Sequence, residues 1–164
     1  MGTKAIGQNA ILTIKEGTVI KSNGYLVVYG RLITEGTLTN PVVFTSVADD
    51  EYGGDTNNNS TSTLAAKGNW QQLMFQSSAT STLEGVKIRY GSGDCDMGFC
   101  WGAINLVLAA LEIKDSWIEK NIWGIFRFGG DCSSFFDRVK IENTVFSEND
   151  RNIHLAYGNE CTPP

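Results

Sequence analysis

The chain has 164 residues, is rich in glycine (18) and poor in proline (3), and has a length that suits one domain, 1–164, with a continuous core. Its formal net charge is −5, and no Lys/Arg cluster exists to neutralise phosphates, which argues against a nucleic-acid partner. No apolar run approaches the ~20 residues needed to span a bilayer, so no membrane span is expected.

From residue 10 to 46, short apolar bursts are cut by glycine. Leu12-Thr-Ile14, Gly17-Thr-Val-Ile20, Leu26-Val-Val28, Leu32-Ile33 and Val42-Val-Phe44 each read as short strands. Glu16-Gly17, Asn23-Gly24, Gly30 and Glu35-Gly36 read as corners where glycine supplies a positive φ. Leu12 to Leu26 and Ile14 to Val28 are both steps of 14, which implies first coils that are tight or lack one face. Residues 49–69 then form a polar, Gly-rich excursion, too long for an ordinary turn in a compact domain.

Regular structure resumes at Trp70. A Trp-x-x-apolar-x-apolar phrase recurs as Trp70…Leu73-Met-Phe75, Trp101…Ile104-Asn-Leu106 and Trp123…Phe126-Arg-Phe128, and alternation turns the last pair of each inward. A second series runs Val86-Lys-Ile88-Arg-Tyr90, Leu111-Glu-Ile113 and Val139-Lys-Ile141, with Lys87, Arg89, Glu112, Lys114, Lys140 and Glu142 facing out. The sequence from Leu111 to Asn121 repeats from Val139 to Asn149 at a step of 28, with Ile113 on Ile141 and Ile118 on Phe146. Self-similarity at this period marks a solenoid, here of strands. The 28-residue step would put Ile125 over Ile153 and Arg127 over Leu155. The tryptophan phrase instead puts Phe126 and Phe128 inside, and it is preferred because it keeps Arg127 out of the core. Asn121 and Asn149 fall at the same corner of successive coils, where side-chain amides can form a hydrogen-bonded ladder. The fold expected is all-β, a parallel β-helix of about five to six coils with no substantial helix.

The four cysteines fit disulfides. Cys132 and Cys161 are 29 apart, close to one period, and coils ~4.8 Å apart suit the Cα separation of a bridge; Cys95 and Cys100 bracket a short loop. Bridges Cys132–Cys161 and Cys95–Cys100 would imply an oxidising compartment, extracellular or at the cell surface. A zinc site is disfavoured by the single histidine and the absence of a Cys-x2-Cys pair, and four buried thiols are the remaining alternative. The opening Met1-Gly-Thr-Lys-Ala5 has no apolar signal-peptide core.

The phrases Leu12-Thr-Ile-Lys-Glu-Gly-Thr-Val-Ile-Lys21, Gly30-Arg-Leu-Ile-Thr-Glu-Gly-Thr37, Asn40-Pro-Val-Val-Phe-Thr-Ser46 and Gly68-Asn-Trp70 resemble the N-terminal portion of right-handed parallel β-helix repeat proteins of the pectate-lyase-like fold, common in secreted and surface-anchored bacterial proteins. The resemblance implies the fold. It implies activity only broadly, since those relatives include polysaccharide lyases and hydrolases beside members of no known activity.

Chemistry is most readily placed in the excursion. Asp55-Thr-Asn57-Asn-Asn59 sets oxygen ligands at alternate positions, as loops that wrap calcium do, with Asp49 and Asp50 able to add charge. In the phrase it resembles, Asp and Gly often stand where Asn59 and Ser60 are, and no glutamate stands twelve positions on from Asp55. The alternative is a solvated polar loop. Asp94, Asp96, Asp115, Asp131 and Asp137 are the acids from which a glycosidase pair would be drawn; a lyase would also want an outward Arg or Lys base beside a calcium cluster, and Arg89 and Arg127, on strands of different faces, are not brought to the Asp55 loop. His154, between Ile153 and Leu155, is expected on the surface. Tyr52, Tyr90, Trp117 and Tyr157 are candidates for sugar stacking, whereas Trp70, Trp101 and Trp123 recur as corner packing. Unpaired strand edges at the solenoid ends call for a cover, so either Met1 to Asn9 folds over the first coil or two subunits associate there as a homo-oligomer. The function expected is a structural or carbohydrate-binding module of a surface protein, with a polysaccharide or cell-surface component as partner and calcium as the cofactor; the alternative is a carbohydrate-active enzyme or its inactive relative.

Overall fold

The computed structural model describes residues 4–60, 62–76, 80–96, 99–107, 109–128, 131–156 and 159–162. Three strands form each turn of a solenoid. The first coil is β1 (Lys4–Ile6), β2 (Ile11–Lys15) and β3 (Val19–Ser22); the second is β4 (Leu26–Val28), β5 (Arg31–Glu35) and β6 (Val42–Ser46). The third is β7 (Leu73–Phe75), β8 (Ser81–Glu84) and β9 (Val86–Arg89). A hairpin, β10 (Cys95–Asp96) with β11 (Phe99–Cys100), precedes the fourth coil, which is β12 (Ile104–Leu106), β13 (Leu111–Lys114) and β14 (Trp117–Glu119). The fifth is β15 (Trp123–Arg127), the single helical turn α1 (Cys132–Phe136), β16 (Val139–Glu142) and β17 (Val145–Ser147). A sixth begins with β18 (Arg151–Leu155), whose outer edge is covered by antiparallel β19 (Asn159–Glu160).

Every coil-to-coil pairing is parallel, giving a first sheet β1-β4-β7-β12-β15-β18, a second β2-β5-β8-β13-β16 and a third β3-β6-β9-β14-β17. The chain is thus a parallel β-helix. Alternation sends one residue in two into a shared core, where Leu32, Leu73, Phe75, Leu83, Ile88, Ile104, Leu106, Ile113 and Ile118 are almost wholly buried. Small polar residues inside bond across coils: Ser81 accepts from the Leu32 amide (3.1 Å) and Thr34 donates to the Glu84 carbonyl (2.9 Å). At the opposite end from β19, the outer edges of β1, β2 and β3 have no strand partner among the described residues, and the inward-facing Leu12 is 41% exposed.

The 28-residue step is obeyed in all three sheets: Leu111 pairs with Val139, Ile118 with Phe146 and Ile125 with Ile153. This corrects the tryptophan register of β15. Ile125 enters the core, Phe126 is buried on the outer side against Trp101 and Trp123, and Phe128 is 58% exposed. Arg127 takes an inward register position beside Leu106 and Leu155, tolerable because its guanidinium donates to the Ser134 carbonyl (2.6 Å) and stays partly exposed. The first coils are also complete. Leu12 stacks on Leu32, 20 residues on, and the 14-residue spacing links strands of different sheets. Likewise Val86 and Ile88 belong to the third sheet, over Ile118, and the strand stacked on Leu111 begins at the less conspicuous Ser81.

Corners use two devices. Gly17 has φ 72°, but Gly36 is required by close approach, since a Cβ there would lie 2.0 Å from the Gly85 carbonyl oxygen. The later corners dispense with glycine: Tyr90, Lys120 and Glu148 end their coils at φ 64°, 56° and 54°. Each αL residue is followed by Gly91, Asn121 or Asn149.

Both disulfides are present. Cys95–Cys100 joins the facing residues of the β10–β11 hairpin, and Cys132–Cys161 ties α1 to the segment after β19 with a Cα–Cα distance of 5.6 Å.

Candidate functional site

The excursion leaves the third sheet after Ser46 and returns at Trp70, lying as a strap over the outer face of that sheet. In the first coil Lys21 donates to the Gly54 carbonyl; in the second, Thr45 donates to the Asp49 carboxylate (2.5 Å). At its far end the Gly68 amide donates to the Gly91 carbonyl (3.1 Å), and Lys67 pairs with Asp150 at the corner after β17 (2.5 Å).

Arg89 sits beneath the strap. Alternation points it out of the core, as expected, yet it is 1% exposed because the strap covers it. Its guanidinium bonds Glu51 (2.6 Å) and the Tyr90 hydroxyl (2.8 Å), and lies 3.4 Å from Asp49 and 3.7 Å from Glu119. Burial opposes its charge, but the bonds to Glu51 and Tyr90 and the nearby Asp49 outweigh it, so its pKa is raised. The Arg89 bond in turn holds the Glu51 carboxyl below its ordinary value.

The aromatics proposed for sugar stacking meet here. Tyr52 lies 5.1 Å from Arg89 and 5.4 Å from Lys87; Tyr90 takes another side of Arg89 (4.7 Å) and Trp117 another of Lys87 (5.1 Å). The result is an alternation Trp117–Lys87–Tyr52–Arg89–Tyr90, in which the rings stack on this chain's own cations. Tyr157 lies outside the described residues.

The five predicted calcium ligands divide by role. The Asp49 carboxylate is taken up by Thr45, Arg89 and the Glu51 amide (3.3 Å), which fix the root of the strap. Asp55 accepts from the amides of Asn59 (3.2 Å) and Ser60 (2.8 Å), curling the loop on itself with Asn58 and Ser60 both at φ 55°. Asp50, Asn57 and Asn59 each have a buried Oδ1 with no hydrogen-bond partner. A buried carbonyl or carboxylate oxygen left unpaired costs free energy unless water or a ligand meets it, and Gln71, Gln72 and Asn105 have such oxygens outside the loop. The loop's donor set of carboxylate and amide oxygens suits a hard cation. Among the described residues no three of His, Cys, Asp and Glu converge as a metal site, in the strap or outside it.

The remaining acids are dispersed. Asp94 precedes the hairpin, Asp115 accepts from Asn143 at the corner between β13 and β14 (2.5 Å), Asp131 caps α1 through the Ser134 amide (2.8 Å), and Asp137 closes that turn. Arg127 lies on the first sheet and Arg89 on the third.

His154 is the clearest departure from expectation: it is 5% exposed, its ring 4.4 Å from Trp123 and stacked on Phe126 at 6.1 Å. Its outward position is roofed by aromatics that the tryptophan register had turned inward. Arg151, which can only donate, faces Nδ1 at 3.3 Å, so the ring is neutral with its proton on Nε2. Burial, then Arg151, depresses its pKa, with Glu160 opposing. A depressed folded-state value means that the unfolded chain takes up the proton first. The contribution of His154 is therefore full above about pH 6.5 and is lost as pH falls below it. Urea unfolding at pH 8 and pH 5 should show a drop in midpoint that His154→Phe reduces; an equal drop in both proteins would remove His154 from the acid response.

Among the described residues no helix is long and apolar enough to cross a membrane. No protein-family model matches this chain, and neither a curated protein nor a solved structure does, so the β-helix assignment rests on its own sheet pairing.

Proposed function

We propose that the chain is a calcium-binding module of an extracellular or cell-surface protein, a right-handed β-helix of the pectate-lyase-like type with a structural or polysaccharide-binding role. The three orphaned oxygens of Asp50, Asn57 and Asn59 carry this reading. With Asp55 they would hold the ion, and the two carboxylates would balance its charge. Calcium supplies what the loop lacks, a partner for inward oxygens. Held there, it would stiffen the strap that covers Arg89. The two disulfides support an oxidising compartment, where millimolar calcium makes a weak site sufficient. For the polysaccharide, Trp117 is the anchor this reading offers, partly exposed and next to Val145, which is 50% exposed.

Calorimetric titration of chelator-stripped protein should give one site with Kd about 10⁻⁴–10⁻³ M, the range of extracellular modules. Asn57→Ala and Asn59→Ala should each weaken it. No heat at about 10 mM calcium, tenfold above that range, would dispose of the reading.

A further inference from the structure

A second site lies beside the strap, at the corner from which the strap departs. Extending the third-sheet register puts Asn23, Val47, Gly91, Asn121 and Asn149 at one corner of successive coils. From Gly91 onward that corner is closed: the Asn121 side chain bonds the Gly91 amide, the Ile88 carbonyl and Asn149. At Val47 the chain instead departs into the strap and does not return until Trp70. Asn23 stands at this corner and lines the gap, but among the described residues no side chain there bridges coils as Asn121 does.

What remains is a cleft of about 230 Å³ spanning the first three coils. That exceeds the cavity of about 150 Å³ that accepts benzene. Its apolar walls are Ile20, Leu26, Phe44, Leu73 and Trp70, the last three at most 2% exposed, with Ser22, Asn23 and Thr45 also in the lining. Lys4 and Lys21 stand among its lining. Neither ammonium forms an ion pair with a carboxylate among the described residues; Lys21 reaches only the Gly54 carbonyl, which leaves its charge uncompensated. Lys15, Lys67, Lys87, Lys114 and Lys120 have acidic partners, whereas Lys140, remote from the cleft, has no ion pair among the described residues either.

We propose that this corner cleft binds a small apolar acid, a ring or short acyl chain bearing one carboxylate. The hydrocarbon fills the space against Trp70 and Phe44, and the carboxylate meets Lys4 and Lys21 at the mouth. Charge complementarity selects an acid over a neutral ligand, and the limited volume selects a small one.

Isotope-labelled protein titrated with octanoate and phenylacetate, then with octanamide and phenylacetamide, tests this by NMR. Methyl shifts should centre on Ile20, Leu26 and Leu73. The acids should bind roughly 5- to 10-fold more tightly than the amides, as two partly exposed ammonium groups can supply. That preference should vanish in the double variant Lys4→Gln, Lys21→Gln. Ile20→Trp should block all four compounds; if it fails to fold, Ser22→Trp at the rim is the substitute. Equal affinity for acids and amides, shifts centred elsewhere, or no shifts would each overturn the assignment. Because the titrations are run in chelator, none of these outcomes depends on calcium.

Discussion

Arg89→Ala is expected to destabilise the protein by about 3–5 kcal/mol, the range for breaking a buried ion pair by removing one partner. The loss has little to do with the Glu51 contact, since Glu51 is 60% exposed and would simply turn to water. The cost comes from Asp49. At 3% exposure, without Arg89, its carboxylate would keep only the Thr45 hydroxyl and the Glu51 amide and remain a buried charge with no counter-ion. Arg89→Met should therefore cost nearly as much although it keeps the volume. The pair Arg89→Met, Asp49→Asn should recover a large part, because neutralising both partners removes the stranded charge. Urea unfolding of the parent protein, Arg89→Met, Asp49→Asn and the double variant completes the cycle. A double variant no more stable than Arg89→Met alone would mean that packing of the guanidinium between Tyr52 and Tyr90 is the dominant contribution.

Asn121→Ala should be the costliest change among the polar corner residues, at about 2–4 kcal/mol, as expected for buried hydrogen-bonding groups deprived of partners. Asn121 is 0% exposed. Its Oδ1 accepts from the Gly91 amide (2.8 Å), while Nδ2 donates to the Ile88 carbonyl (3.1 Å) and to Asn149 Oδ1 (3.0 Å). Water cannot reach Gly91 or Ile88 once the side chain is gone. Asn149→Ala should cost less, because Asn149 is only partly screened from solvent, although it too bridges coils through the Ile118 carbonyl (2.7 Å). With about 2–4 °C of Tm per kcal/mol for a chain of this size, thermal unfolding separates the two variants. Equal shifts would mean that burial does not set the worth of a rung.

The parallel β-helix was legible because its core is written in short apolar pairs, and the 28-residue step between Leu111 and Val139 carried directly into paired strands. The bridge Cys132–Cys161 followed from nearly the same spacing, and Cys95–Cys100 from the short loop its cysteines bracket. Three features were obscured by one cause: the outer faces are themselves covered. Phe126 and His154 look like inward and outward residues respectively until Trp101 and Trp123 fold over both, and Arg89 looks solvated until the strap closes. Periodicity reports which side of a strand a residue takes, but not what lies on top of it. The αL corners at Tyr90, Lys120 and Glu148 were hidden for another reason: none is glycine, the residue by which such corners are read from sequence. In the strap, Asp55, Asn57 and Asn59 were marked by spacing, whereas the separation of Asp49 from Asp50, one gripping Arg89 and the other left with an unpaired oxygen, required the third dimension.

The account turns on calcium in the strap, and site-resolved amide hydrogen exchange of the stripped and calcium-loaded protein tests it most directly. The amides of Asn59 and Ser60, bonded to Asp55, and that of Glu51, bonded to Asp49, should gain at least about tenfold protection in calcium, the change that 1.4 kcal/mol of added local stability produces. Those in the interior of β13 and β14 should be unchanged. Identical exchange in the two states across residues 49–60 would contradict it.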